Sequence, residues 1–198
     1  MGCCYWAFQY GNHNVVPDIV TVGKPFGNGM PLGAVITTKE VAQGFEAMGV
    51  EYFNTFGGSP VCAAAGNAVL DVLEANMLQQ HAIDVGDHLK SLFLQLKDRL
   101  DIIGDVRGSG LFIGIELVRN HSTLEPATEE TSVICTKLKE NFHILTSIDG
   151  AYDNVLVVKP PLVFSKADAA YFVDSFEKAS YAVLALGDEV LKMKKTPT

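Results

Sequence analysis

Lys24 is the only ionisable side chain between Asp18 and Lys39, and it sits in the stretch V-G-K-P-F-G-N-G-M-P. A lysine amine held among apolar neighbours is pushed toward its neutral form and can attack a carbonyl to give a Schiff base. The glycines and prolines around it read as a turn directly after a strand, which would present the amine. Further along, N-T-F-G-G-S-P joins the Thr55 hydroxyl, two glycines and the Ser59-Pro60 helix start. Glycines let backbone N–H groups approach a ligand, and a helix N-terminus offers unpaired donors and partial positive charge. That combination suits a small dianion such as a phosphate monoester. Each motif alone also has a plainer reading, as a loop lysine and as a capped helix after a turn.

Nucleotide-binding patterns do not fit these glycines. The G-x-x-x-x-G-K-[ST] loop fails because Pro25 follows Lys24 and Asp18 occupies the upstream glycine position. A G-x-G-x-x-G read from Gly27 ends on Leu32, and Gly108-Ser109-Gly110 precedes a strand instead of opening a helix. A lysine beside a phosphate cradle is instead what pyridoxal phosphate requires.

The elements that must position these groups alternate along the chain. Val15–Val22 and Leu32–Thr37 read as short strands flanking the lysine turn. Helices are expected over Lys39–Met48, from Ser59-Pro60 to about Glu74, and over about His81–Leu100, the last with Val85, Leu89, Leu92, Phe93 and Leu96 on one face. I-I-G-D-V-R-G-S-G-L-F-I-G-I-E-L reads as turn and strand, with Arg107 as an ion-pair partner of Asp105 or Glu116. Thr128–Asn141 is a helix, Asn154–Val158 a strand, and Lys166 to about Leu186 an amphipathic helix. The boundary between two sub-domains is expected at Leu100–Asp105.

The chain has 198 residues, about half apolar, and a formal net charge of −8. This is globular composition without a basic stripe, and neither nucleic acid nor an anionic membrane is an expected partner. Cys3, Cys4, Cys62 and Cys135 lack metal or disulfide-framework spacing and read as reduced thiols. His13, His81, His88, His121 and His143 are scattered, and none is assigned to a metal. No apolar run is long enough to span a bilayer. The opening M-G-C-C-Y-W-A-F-Q lacks the serine or threonine of a myristoylation signal and has the aromatic density of a folded interior.

P-D-I-V-T-V-G-K-P-F-G-N-G-M-P-L-G-A-V-I resembles the lysine signature of the class-III pyridoxal-phosphate-dependent aminotransferase family. The resemblance continues through E-Y-F-N-T-F-G-G-S-P, G-D-V-R-G-S-G-L-F-I-G-I-E-L and K-P-P-L-V-F-S, from about Tyr5 to Leu186. It implies an α/β chain of the type I pyridoxal-phosphate fold. Residues 1–100 would be the C-terminal portion of the large, cofactor-binding domain, residues 101–190 an α+β small domain, and 191–198 a disordered tail. By resemblance Lys24 is the Schiff-base lysine, and Thr55 reaches the cofactor phosphate of a neighbouring subunit. The partners implied are a small amine substrate and a second copy, in a homodimer or higher homo-oligomer. The compartment implied is the mitochondrial matrix, with the cytoplasm as alternative.

Two departures shape the functional expectation. The family's phosphate loop, ring-stacking aromatic and pyridine-pairing aspartate precede the segment seen here. Met1 is therefore expected to be an internal methionine and this polypeptide alone a poor enzyme, or an isoform that only dimerises. The second departure is in N-V-L-V-V-K-P-P, where Val157 stands at the position of an arginine that grips substrate carboxylate in many members. Lys159, two residues along, is expected to be structural or solvent-facing. Loss of that arginine points to the phospho-lyase branch, acting on phosphoethanolamine or phosphohydroxylysine. Lys24 would take up the substrate carbon's proton before phosphate leaves. Amino transfer of the alanine–glyoxylate aminotransferase 2 type is the alternative.

Overall fold

The apolar run after Asp18 forms β1 (Ile19–Val22), which pairs antiparallel with β2 (Ala34–Thr37), Val22 opposite Ala34. The Asp18 carbonyl accepts from Thr37 Oγ1 at 2.8 Å and from the Thr38 amide at 3.3 Å, closing the open end of the pair. Asp18 thus acts through its backbone, in the turn role its position suggests. The Thr38 hydroxyl then caps α1 (Lys39–Ala47), accepting from the Val41 amide at 3.4 Å. Helix α2 (Pro60–Ala75) starts where Ser59-Pro60 announces it, with proline in the first turn, where the missing N–H costs no hydrogen bond. This is a computed structural model, and it describes residues 2, 4–11 and 15–192. The expectations for Met1, Cys3 and His13 fall outside the described residues.

These elements belong to one of two compact units, Cys4–Leu78, while the other is built from Gln79 onward. The division therefore lies earlier than the expected Leu100–Asp105. The cause is the buried face of α3 (Leu78–Lys97): Leu89, Phe93 and Leu96 are fully enclosed in the core of the second unit. The helix goes where its apolar stripe is buried.

In that second unit β3 (Ile103–Ser109) and β4 (Phe112–Asn120) form a hairpin, Ser109 opposite Phe112. The first half of this segment is thus strand, where the sequence reading placed a turn. A short β5 (Glu125–Pro126) pairs with β4, and α4 (Thr128–Phe142) follows. Then β6 (Ser147–Asp149) and β7 (Val155–Val158) complete an antiparallel sheet of order β3-β4-β7-β6. Helix α5 (Lys166–Leu184) opens with a capping box in which the Ser165 hydroxyl and the Asp168 carboxylate satisfy each other's backbone amides. A 3-10 turn over Gly187–Lys192 carries ordered backbone past the expected start of the tail at 191; residues 193–198 are outside the description.

The period-two alternation of β4 sends Ile113, Ile115 and Leu117 into a core shared with α3, α4 and α5. Phe93 meets Phe172 and Phe176 edge-to-face, with ring centroids 5.6 and 5.3 Å apart. Burying each such ring contributes roughly 2–3 kcal/mol. Asn154, buried, donates from Nδ2 to the Leu117 carbonyl at 2.9 Å, while the Leu117 amide donates to the Asn154 carbonyl at 2.8 Å. This unit is the α+β arrangement expected for the C-terminal half. Among the described residues no single helix is long and apolar enough to cross a membrane.

Candidate functional site

Lys24 opens a 3-10 turn (Lys24–Gly27) directly after β1 and Gly23. Its φ is +54°, in the left-handed region, and Pro25 follows. A side chain with a β-carbon is strained there, and a following proline narrows the choice of backbone further. Such strain persists only where neighbouring structure holds it, and it gathers at functional sites. The turn is held by the Phe26 amide donating to the Gly23 carbonyl at 3.3 Å and the Asn28 amide to the Pro25 carbonyl at 2.9 Å. Gly27, the last residue of the turn, is buried. The lysine itself is exposed, so the closed apolar setting anticipated for the amine is not formed by this unit's own side chains. No hydrogen bond or ion pair to Lys24 occurs among the described residues. The turn thus projects an uncommitted amine.

Thr55 lies in the same unit, in a tight turn closed by the Gly57 amide donating to the Asn54 carbonyl at 3.0 Å. The Asn54 side chain shapes this turn, accepting from the Phe56 amide at 3.0 Å. Gly58, with φ +71°, then leads into Ser59 and α2. Ser59 stands at the N-cap as expected, yet its hydroxyl makes no capping bond, so the first-turn amides lack a side-chain acceptor. This is where the cradle expectation and the cap expectation part. A serine-capped start would spend a donor internally, whereas the first-turn amides of α2 receive no side-chain bond from Ser59. An amine without partners suits a cofactor aldehyde, and an uncapped helix start suits a phosphate. Around the turn, Tyr52, Phe53 and Phe56 are exposed, the two phenylalanines at 86% each.

The residues singled out further along are in the second unit. Val157 pairs with Gly114 on one side and Ser147 on the other, and is buried mid-sheet. Lys159 follows the end of β7, is exposed, and lines a cavity of about 370 Å3 with His143, Tyr171 and Asp168. The Ser165 hydroxyl and amide hold the Asp168 carboxyl below the usual aspartate range. Arg107 pairs with both carboxylates expected for it, Asp105 at 3.0 Å and Glu116 across the hairpin. Among the described residues no group of three His, Cys, Asp or Glu side chains is placed to hold a metal.

The aminotransferase class-III family pattern matches residues 2–180. The chain belongs to the class-III aminotransferase family. It is 46% identical over 184 residues to an alanine–glyoxylate aminotransferase 2-like protein of Drosophila melanogaster, covering 93% of this chain and 37% of the relative. It is 42% identical over 168 residues to ethanolamine-phosphate phospho-lyase homolog 1 of Caenorhabditis elegans, covering 84% of this chain and 35% of the relative. Among solved structures, a phospholyase from Arthrobacter in complex with phosphoethanolamine superposes with a TM-score of 0.84 at 36% identity, over 91% of this chain and 42% of that one. The chain therefore spans little more than a third of the length of these curated relatives. Over that span its fold is the type I pyridoxal-phosphate-dependent transferase fold expected from the sequence.

Sequence reasoning missed Leu32, Asn54 and Gly66, which shape the two turns. Gly66 did leave a signal. A glycine in the interior of an Ala- and Leu-rich helix costs about 1 kcal/mol against alanine, and marks a close approach.

Proposed function

We propose that this chain is the lysine-bearing portion of a pyridoxal-phosphate-dependent class-III enzyme that eliminates phosphate from a small phosphorylated amine, phosphoethanolamine or phosphohydroxylysine. The observation that carries the reading is Lys24, an amine without partners on a strained turn, in a chain that belongs to the class-III aminotransferase family. Pyridoxal phosphate, when bound, supplies an electron sink for the charge that develops beside the substrate nitrogen.

The chain's own residues have three tasks. Lys24 Nζ would hold the cofactor covalently, and its amine is the base that would accept the proton from the carbon bearing the substrate amine. The Thr55 hydroxyl and the uncapped amides of α2 take the phosphate of a neighbouring subunit's cofactor. The exposed Tyr52, Phe53 and Phe56 around that turn support this reading, since clustered apolar exposure marks an interface. Val157 leaves an apolar sheet position where a carboxylate-gripping arginine would serve an amino-acid substrate. A phosphoamine with no carboxylate on the carbon bearing its reacting amine has no need of that fork. Placement in the mitochondrial matrix follows from the family resemblance.

A second reading, amino transfer of the alanine–glyoxylate aminotransferase 2 type, is favoured by the name of the Drosophila relative. One assay of the full-length protein separates the two. Inorganic phosphate released from phosphoethanolamine supports elimination; amino transfer to glyoxylate or pyruvate without phosphate release contradicts it.

A further inference from the structure

The turn that carries Lys24 meets α2 through Leu32 and Phe26. Leu32, on the return limb of the same loop, lies between Gly27 and Gly66. A β-carbon on Gly27 would fall 3.0 Å from Leu32 Cβ, and one on Gly66 would fall 2.5 Å from Leu32 Cδ2 and 3.8 Å from Phe26 Cζ. Both glycines are buried. Neither has a positive φ, so what each supplies is room for its neighbour. Phe26 belongs to the 3-10 turn itself, two residues past Lys24.

We infer that Gly66 is a positioning residue for Lys24. It sets the depth at which Leu32 and Phe26 seat on α2, and that seating holds the 24–27 turn in the shape that keeps Lys24 left-handed. Left-handed backbone at a lysine reverts unless its surroundings enforce it. The enforcement runs from α2 through Leu32 and Phe26 to the turn. What Lys24 then does rests on the reading above; its conformation does not.

The test uses the full 198-residue chain, labelled with carbon-13 and nitrogen-15, without cofactor. The Cα and Cβ shifts of Lys24 and Asn28 report the sign of φ. Gly66→Val is expected to abolish the left-handed pattern at Lys24, and Gly66→Val with Leu32→Ala to restore it by returning the lost room. Gly66→Ala, the smallest addition, is read in the same way should the valine variant not fold, and is expected to shift Lys24 in the same direction. A left-handed Lys24 in a folded Gly66→Val or Gly66→Ala chain, or effects of the two substitutions that simply add, overturns the inference. A second measurement, borohydride trapping of pyridoxal phosphate on Lys24 relative to Lys39, is expected to fall in Gly66→Val and recover in the double variant. Absence of trapping in the unmutated chain would contradict the cofactor reading alone and leave the shift result standing.

Discussion

Arg99 grips Glu177 with two parallel hydrogen bonds, Nε to Oε1 and Nη2 to Oε2, each 2.9 Å long. The pair ties the chain just past α3 to the outer side of α5, and Arg99 holds the Glu177 carboxyl below the usual glutamate range. A depressed carboxyl contributes stability that is complete above its unfolded value and disappears as pH falls through the folded one. Because both side chains reach solvent, which screens the pair, the contribution is small. Urea unfolding should therefore show Arg99→Met less stable than the unmutated chain at pH 7. The gap should close as pH falls below the ordinary glutamate value of 4.5. An unchanging gap would mean that Arg99 acts through packing alone.

Asn154 should be the most sensitive polar position of the second unit. Its side chain is one of two donors to the buried Leu117 carbonyl, the other being the Ala127 amide at 3.1 Å, so Asn154→Ala removes one hydrogen bond and leaves the acceptor singly paired. The expected loss is about 0.5–1.5 kcal/mol, read as a lower thermal midpoint. Asn154→Asp should be at least as harmful, since an ionised carboxylate cannot donate to a carbonyl.

Ser175 and Ser180 point the other way. Both hydroxyls are fully buried on α5 and neither has a partner. Replacing either with alanine removes an unsatisfied dipole and improves helix propensity. Each single variant is expected to raise stability by about 1 kcal/mol, and a lowered midpoint in both would refute this account of the helix face.

Thr55→Val tests the phosphate cradle. The substitution keeps shape and removes the hydroxyl, so cofactor affinity in the assembled protein should fall about tenfold, the loss expected for one hydrogen bond to a charged group. Equilibrium dialysis with pyridoxal phosphate reads this directly, and unchanged affinity would remove Thr55 from the site.

Much of the architecture was legible because burial follows periodicity. The stripe Val85, Leu89, Phe93 and Leu96 became the buried face of α3, and the other long helices fall within a few residues of their expected ends. What misled was glycine. In I-I-G-D-V-R-G-S-G the glycines read as turns, yet Gly104 lies inside β3, where a β-carbon would meet Val118 Cγ1 at 2.9 Å. Only the residues between Ser109 and Phe112 turn the chain. β6 was too short and polar to announce itself. At the site, Lys24 and the Ser59-Pro60 helix start stood out by residue type, whereas the support from Leu32 and Gly66 depends on a contact between α2 and a distant loop. No local pattern encodes such a contact.

The central claim is that Lys24 is the covalent anchor for pyridoxal phosphate, and reductive trapping tests it most directly. The chain is incubated with pyridoxal phosphate, reduced with borohydride, digested and mapped by mass spectrometry, alongside Lys24→Ala. The account predicts a phosphopyridoxyl group concentrated on Lys24 and lost in the variant. Label spread evenly over exposed lysines such as Lys39 and Lys178, with an unchanged total in Lys24→Ala, would contradict it.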